Sequence, residues 1–424
     1  MRPVDAAWLA GVGEEHHGYA EWRGITGGTA GSSYVVTSTA DRGSGTYRDA
    51  LSQGNRYITF APELDGAVIR LHGDITTGVS DITIDASGRD IAVSGFATKF
   101  SGTNIVIAGM KFRGMTGSDD EDALTFRDAP QEQVFALYGN TFETATDGLV
   151  DVIWNRGHDV YGTICGNRFL RHDKAVLIHS GDQSAEGGRY HVTMCENHWV
   201  DVYQRAPFSR DARIHQYNDV FERYGDPGGA GGGSKSGSES EDSQHLLQNN
   251  IALPRRAGEV TWTGDAVTSP RTEFAGPQMG DGGAMRIDGS LLLTNRGTTA
   301  TQLEHHREQV AAPPYGSAPM PADERTKAAV ERNAGACAPN PARAVNPCAP
   351  IVTAPGGVVG LEVAGDAARV VVRVDGHELV DARSVGGGRW EAVLPSGAVG
   401  WVDAIVTDHG GTIVQTNGAV VVTR

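Results

Sequence analysis

Five segments in the middle of the chain repeat one outline: "VFALYGNTF", "VYGTICGNRF", "YHVTMCENHW", "ARIHQYNDVF" and "SQHLLQNNI". Each is a short apolar run, then an asparagine, then within three residues an aromatic or aliphatic side chain. The asparagines are Asn140, Asn167, Asn197, Asn218 and Asn249, with steps of 27, 30, 21 and 31 residues. Earlier, "ITIDASGRDIAVSG" and "NIVIAGMKFRG" carry the same alternation without the asparagine. A strand this short cannot bury its own face, so strands recurring every 20 to 30 residues or so must stack on copies of themselves, which defines a parallel β-solenoid. In such a coil equivalent residues of successive turns lie one strand spacing apart, and stacked asparagines hydrogen-bond along the axis. A propeller, with its longer repeat, is the alternative. Cys165 and Cys195 each stand two residues before the asparagine, at equivalent positions of adjacent turns. They read as small buried hydrophobes stacked inside the coil, with a disulfide as the alternative.

The ends of the repeat suggest how it is closed. "GTYRDALSQG" reads as a short amphipathic helix ending at Gly54 and "YITFAPEL" as a strand beginning the first turn, so the N-terminal portion caps the coil. "MPADERTKAAVERNAGAC" reads as a helix starting near Asp323, with Ala328, Ala329 and Val330 packing back on the coil. Cys337 and Cys348 flank a Pro-rich connector, where a disulfide would suit an oxidising compartment. From Ile351 onward, "ARVVVRVDG", "RWEAVLPSG" and "VGWVDAIVTD" have the spacing of a β-sandwich. The expected organisation is a solenoid with cap and packing helix over 1–335, a linker over 336–350 and a small immunoglobulin-like domain over 351–424. The 57 glycines and 21% charged residues suit this all-β, turn-rich reading.

A formal net charge of −16 argues against nucleic acid, whose phosphates need a basic face. No apolar run is long enough for a signal peptide or a membrane span, although a mature secreted chain would look the same. No Cys-x-x-Cys pair occurs, so a zinc site is not expected. An acidic protein can still hold a polyanion locally, through clustered Arg and Lys or a bridging divalent cation.

Three charged clusters lie on the repeat: Asp119, Asp120, Glu121 and Asp122 in "GSDDEDALTF"; Asp147 and Asp151 in "TDGLVDV"; Asp173 and Lys174 in "RHDKAVLIHSGD". Positions 122, 147 to 151, 174 and 205 fall about one turn apart and should form a column on one face. Carboxylates converging from neighbouring turns make a hard-oxygen site suited to Ca²⁺. Each cluster alone reads equally as a solvated turn; the register with Lys174 and two arginines distinguishes them. In "QRAPFSR", Arg205 and Arg210 would face opposite sides of a regular strand, so Pro207 must mark a bend if they share a site. The pairs His16–His17 and His305–His306 read as surface or capping residues, and Trp154, Trp199 and Tyr203 as cleft-lining or core aromatics.

These motifs resemble the pectate lyases of polysaccharide lyase family 1. The likeness runs from about residue 24, through "SSYVVTSTADRGSGTYRDAL", to near residue 335, and is most specific in "DGLVD", "HDKAVLI" and "QRAPFSR". It implies a right-handed parallel β-helix and a secreted, monomeric enzyme acting on polygalacturonate. It further implies Arg205 as catalytic base, Lys174 and Arg210 as ligands of uronate carboxylates, and Asp122, Asp147 and Asp151, with Asp120 as a further acid, as Ca²⁺ ligands. The family's Trp-Ile-Asp-His run is "FALYGN" here, its "LIGxSD" is "LIHSGD", and "YGDPGGAGGGSKSGSESEDSQ" is longer than the family's turn.

The implied reaction is β-elimination across C4–C5 of a 1,4-linked galacturonan. The C5 proton is weakly acidic beside an anionic carboxylate, so neutralising that carboxylate is the main electrostatic task. A free guanidinium is a poor base because it stays protonated; crowding by Lys174, Arg210 and Ca²⁺ disfavours its cation, which predicts an alkaline optimum. Two other classes fit the architecture: a polygalacturonase-type hydrolase, which needs carboxyl acid and base but no Arg/Lys column, and a non-catalytic glycan-binding solenoid.

Overall fold

Parallel strands of three residue columns wind into a solenoid in which every strand pairs with its equivalent one turn away. The computed structural model describes residues 18–117, 122–179, 189–224, 239–241, 243–254, 262–263, 266–267, 284–293, 300–305, 310, 312–317, 319–335, 358–362, 368–374, 378–386, 389–393, 402–407, 413–416 and 421–422. One column runs from Ser32–Val36 and Arg56–Phe60 through Val160–Cys165 to Gln244–Gln248. A second runs from Val68–Arg70 through Arg168–Lys174 to Ile251–Pro254, and the strand Ala284–Leu293 pairs with the end of both, merging them into one 19-stranded sheet. The third is a separate seven-stranded sheet: Ile75–Thr77, Thr98–Phe100, Leu124–Arg127, Val150–Ile153, Val176–Ile178, Phe208–Arg210 and Glu239–Glu241. The predicted all-β solenoid is the observed fold. Its first turn starts one strand earlier than expected, at Ser32–Val36.

The asparagine signal marks a ladder, with one correction of register. Asn140, Asn167 and Asn197 are fully buried, and each backbone N–H donates to the side-chain oxygen of the next rung at 2.8–2.9 Å. The ladder then continues through Asp219 and Asn250, not Asn218 and Asn249. The reason is local. Each rung follows a residue in the left-handed region: Gly139, Gly166, Glu196, Asn218 and Asn249, with φ of 51–66°. Gly and Asn tolerate that conformation best, so in "YNDVF" and "QNNI" the first asparagine takes the turn and its successor takes the rung. Asn218 instead exchanges two hydrogen bonds with the backbone of Met320, at 2.7 and 2.8 Å, and fastens the returning chain to the coil.

Inside the coil the same stacking orders the apolar residues. Phe112, Phe142, Phe169, Trp199 and Phe221 form a continuous ring stack with centroid spacings of 4.2–5.6 Å. Trp199 is therefore a core residue. Its indole N–H donates to Asp219 at 2.9 Å, satisfying a polar group in an apolar stack. Cys165 and Cys195 stand in register with Cα atoms 4.5 Å apart and are disulfide-bonded, which corrects the reading of two inert thiols. Parallel in-register strands place equivalent side chains one strand spacing apart on the same face, so the two sulfurs meet.

The closing elements follow the expected chemistry. Thr46 caps the short helix Tyr47–Ala50 by accepting from the N–H of Asp49, and Tyr47 and Ala50 are buried. Asp323 caps Glu324–Asn333 by accepting from the N–H groups of Arg325 and Thr326. Val330 and Ala334 pack on Val220 and Ile251, while Ala328 and Ala329 are only half-buried. A further helix, Tyr19–Trp22, does not cap an end: it lies along the flank of the coil, where its N–H groups reach Thr163 and Thr193. The chain divides into two compact units, one of residues 15–86 and 91–336, the second of residues 337–424 together with 1–14 and 87–90. The second holds two four-stranded antiparallel sheets, with strand orders 383–386, 389–393, 358–362, 421–422 and 378–381, 369–374, 402–407, 413–416. The connector with Cys337 and Cys348 and both His16–His17 and His306 lie outside the described residues. No helix among the described residues is long and apolar enough to cross a membrane.

The ladder makes a quantitative claim. Replacing Asn167 by Ala strands the buried N–H and amide of Asn140, and each orphaned donor costs on the order of 1–3 kcal/mol. Equilibrium urea unfolding should report a loss of roughly 3 kcal/mol for Asn167→Ala, whereas Asn218→Ala should spare the coil's interior and loosen the 319–320 segment.

Candidate active site

Four successive turns meet at the N-terminal edge of the seven-stranded sheet. The backbone N–H groups of Ala123, Leu149 and Val176 donate to the carbonyls of Gly148, Lys174 and Arg205 at 3.1, 3.1 and 2.7 Å. These bonds set Asp122, Gly148, Lys174 and Arg205 side by side, the column anticipated from the sequence. Arg205 lies between the strands His198–Gln204 and Phe208–Arg210, with φ 57° and a cis Ala206–Pro207 peptide beyond it. That is where a bend was expected. A non-glycine residue in the left-handed region is uncommon and re-aims its side chain relative to the strand.

The acidic residues face one another across Gly148. Asp122 Oδ1 accepts the Gly148 N–H at 2.9 Å, and Oδ2 accepts the Thr125 hydroxyl at 3.2 Å. Asp147 takes the Lys174 ammonium on Oδ1, and His172 Nε2 donates to its backbone carbonyl. Asp151, paired in register with Thr125 and Leu177, is only 4% exposed, and its Oδ1 has no hydrogen-bond partner among the described residues. A Cβ on Gly148 would lie 2.5 Å from that atom and 2.9 Å from Asp122 Oδ1. The missing side chain keeps open a small cradle walled by two carboxylates.

The electrostatics are those of crowded acids held by two cations. Burial, reinforced by Asp147, pushes the Asp122 carboxyl up to about 6 despite the donated Gly148 and Thr125 bonds. Burial and then Asp122 raise Asp151 well above the usual carboxylate range, with Arg205 and Lys174 opposing. Arg205 is half-buried, and its Nη1 finds no hydrogen-bond partner among the described residues. Burial lowers the His172 imidazole, leaving it neutral at physiological pH.

Further along the sheet, Ile153, Leu177 and Phe208 form an almost covered apolar strip with half-buried Trp154 against it. Arg127 lies 3.8 Å over the Trp154 ring and Arg210 lies 4.2 Å over the Phe208 ring. Arg210 also approaches the His179 carbonyl at 3.5 Å, while the His179 ring stacks on Tyr190. Of the residues expected at the site, Asp122, Asp147, Asp151, Lys174 and Arg205 therefore form one electrostatic group. Arg210 stands at the far end of its own strand. Asp120, with Asp119 and Glu121, lies outside the described residues. The sequence did not single out Gly148, His172 or Arg127. Gly148 sat in plain view within "DGLVD", but what matters there is an absent side chain.

The family model for pectate lyase matches residues 15–228. The chain is 26% identical over 269 residues to a probable pectate lyase, P56, of Solanum lycopersicum, covering 57% of this chain and 64% of that protein. It is 30% identical over 212 residues to pectate lyase plyB of Emericella nidulans, covering 48% and 60%. The chain thus spans somewhat under two thirds of the length of these relatives. Among solved structures, the cedar pollen allergen jun a 1 superposes over 76% of this chain and 92% of its own, with a TM-score of 0.57 at 18% identity. A pectate lyase from Bacillus sp. N165 in complex with trigalacturonate covers 76% and 98%, with a TM-score of 0.50 at 20% identity. At those identities the structural likeness is one of fold. The family match covers half of the chain, and the chain belongs to the pectate lyase family.

The raised carboxyls carry a sign that can be measured. A folded-state pKa above the unfolded value means the ionised form is disfavoured in the fold, so stability is full at low pH and is lost as pH rises through about 6. Asp151→Asn, which mimics the protonated acid, should raise the metal-free melting temperature at pH 8 and leave it near that of the unsubstituted protein at pH 4. Thermal unfolding in chelator at both pH values reads this directly.

Proposed function

We propose that the chain is a calcium-dependent pectate lyase that cleaves 1,4-linked α-D-galacturonan by β-elimination, releasing 4,5-unsaturated oligogalacturonates. The observation that carries the reading is the cradle at Gly148, with the unpartnered Asp151 Oδ1 facing Asp122 beside Lys174 and Arg205. An all-oxygen donor set with a buried oxygen left unsatisfied fits a hard divalent cation. Asp122, Asp147 and Asp151 would hold Ca²⁺, with Asp120 as a further acid. Bound there, the ion would supply positive charge to the C6 carboxylate of the uronate, the chemistry that acidifies the neighbouring C5–H.

The chain's own residues do the rest. Lys174 orients a substrate carboxylate and Arg210 grips a second along the sheet. Arg205 receives the C5 proton; the electron pair of the C5–H bond forms the C4–C5 double bond as the C4–O4 bond breaks, and the C4–O4 pair leaves on O4, which takes its proton from solvent. That step needs Arg205 to enter unprotonated, so the rate on polygalacturonate should climb from neutral to alkaline pH. The reading extends to a secreted monomer in which the solenoid of residues 1–335 carries the activity. A linker at 336–350 would join it to an immunoglobulin-like domain at 351–424. A disulfide between Cys165 and Cys195 supports an oxidising destination.

The deciding experiment follows the ultraviolet absorbance of the unsaturated uronate on polygalacturonate, with Ca²⁺ and with chelator. Absorbance that grows only with Ca²⁺ and falls by about 10²-fold or more in Lys174→Ala and Arg205→Ala supports the reading; reducing ends without absorbance would establish hydrolysis instead. A separate check needs no substrate. Gly148→Ala fills the cradle, so calorimetric Ca²⁺ titration should report at least tenfold weaker binding, roughly the effect of losing one charged contact.

A further inference from the structure

A second cleft opens on another face of the coil, within the same compact unit. A single turn sends Val150–Ile153 to the seven-stranded sheet and Val160–Cys165 to the other sheet, so Asp151 and Tyr161 serve different surfaces. On that second sheet Tyr161, His191 and Arg213 stand in register on successive strands, followed by Gln244. The helix Tyr19–Trp22 makes one wall and residues 310 and 312–314 another, enclosing about 400 Å³. The walls are fixed in place. The Tyr19 N–H donates to Thr193 Oγ1 at 3.1 Å, Tyr315 hydrogen-bonds Thr193 and His215, and the Tyr19 ring meets Tyr315 edge-on at 5.2 Å.

The lining combines flat apolar rings with surplus positive charge. Tyr161 stacks on His191 at 4.7 Å and is also covered by the Glu132-paired Arg23 guanidinium at 4.8 Å, while Trp22, 5.9 Å from Tyr161 and 5.5 Å from Arg23, keeps 37% of its surface exposed. Among the described residues Arg213 makes no ion pair, and its buried Nε finds no hydrogen-bond partner. Arg189 adds a second guanidinium. Asp159 is the lining carboxylate, and its oxygens receive the Arg189 backbone N–H at 2.8 Å and the Tyr161 hydroxyl at 3.3 Å. Burial pushes His191 down to about 4, so it adds no charge at neutral pH. Two guanidiniums against one carboxylate make this a cationic pocket on a chain of net charge −16.

We propose that this cleft is an auxiliary binding site for an acidic oligosaccharide, a uronan strand whose carboxylate meets Arg213 while a sugar ring lies against the exposed Trp22. A guanidinium fork matches a carboxylate in two parallel hydrogen bonds, and an aromatic ring covers the C–H face of a pyranose while leaving its hydroxyls to polar neighbours such as Gln244. The site would hold the polymer while the active-site cleft acts on another stretch of it. The choice of a uronan rests on the lyase reading above.

The test compares the unsubstituted protein with Arg213→Gln and Trp22→Ala in two assays. Native electrophoresis through polygalacturonate-containing gels in chelator reads polymer binding, and cleavage of trigalacturonate with Ca²⁺ reads the active site alone. The expected result is at least tenfold weaker retention in both variants, the scale of one charged contact, with trimer cleavage within twofold of the unsubstituted rate. Unchanged retention in both variants overturns the proposal. So does retention that falls only in step with trimer cleavage, or equal retention of the unsubstituted protein by a neutral galactan. Absence of any trimer cleavage would instead sink the lyase reading, and selective loss of polygalacturonate retention in the variants would still support an acidic-glycan site.

Discussion

In-register pairing of parallel strands is the constraint from which everything else in the coil descends. Because each strand pairs with its equivalent one turn away, a residue type repeated at the turn interval becomes a column in space. Asparagines become a buried hydrogen-bonded ladder and aromatics become a continuous stack. The same rule operates on the outer surface, where it turns scattered charges into a site. Asp122, Gly148, Lys174 and Arg205 are up to 83 positions apart in sequence (205 − 122 = 83), yet the backbone bonds of adjacent turns place them side by side. The coil needs no long loop to assemble this constellation. It needs only that its turns keep register.

The cost of that economy is electrostatic, since a column concentrates like charges as readily as like rings. The carboxylates around Gly148 are held in a half-buried edge with raised pKa values, and the cations nearby offset the repulsion only in part. The contrast with the second cleft is instructive. There the imbalance has the opposite sign, with Arg213 exceeding what Asp159 can answer. The two faces of one turn thus present complementary deficits.

How much of this was legible in the sequence depended on whether the signal was periodic. The solenoid, the helix capped by Asp323 and the adjacency of Asp122, Lys174 and Arg205 on neighbouring turns all announced themselves by spacing or by a cap with a local mechanism. The ladder's register was misread at Asn218 and Asn249, because an asparagine suits both the left-handed turn and the rung, and only the partner one turn away decides between them. The Cys165–Cys195 bond was underweighted for a similar reason: equivalence of position was read as shared burial when it also meant sulfur within reach of sulfur. Gly148 and Arg213 were invisible for a different reason. One acts through missing volume and the other through a missing partner, and neither absence has a letter of its own.

The disulfide joins rungs of adjacent turns and closes a loop whose ends are 30 residues apart, and that loop contains Lys174. A solenoid behaves as a one-dimensional array, whose turns peel from the ends unless something couples them beyond nearest-neighbour contact. A covalent tie across one interval makes a segment that cannot peel in part: its two strands dock or detach together. Lys174 therefore rides on a segment that is closed covalently as well as stacked.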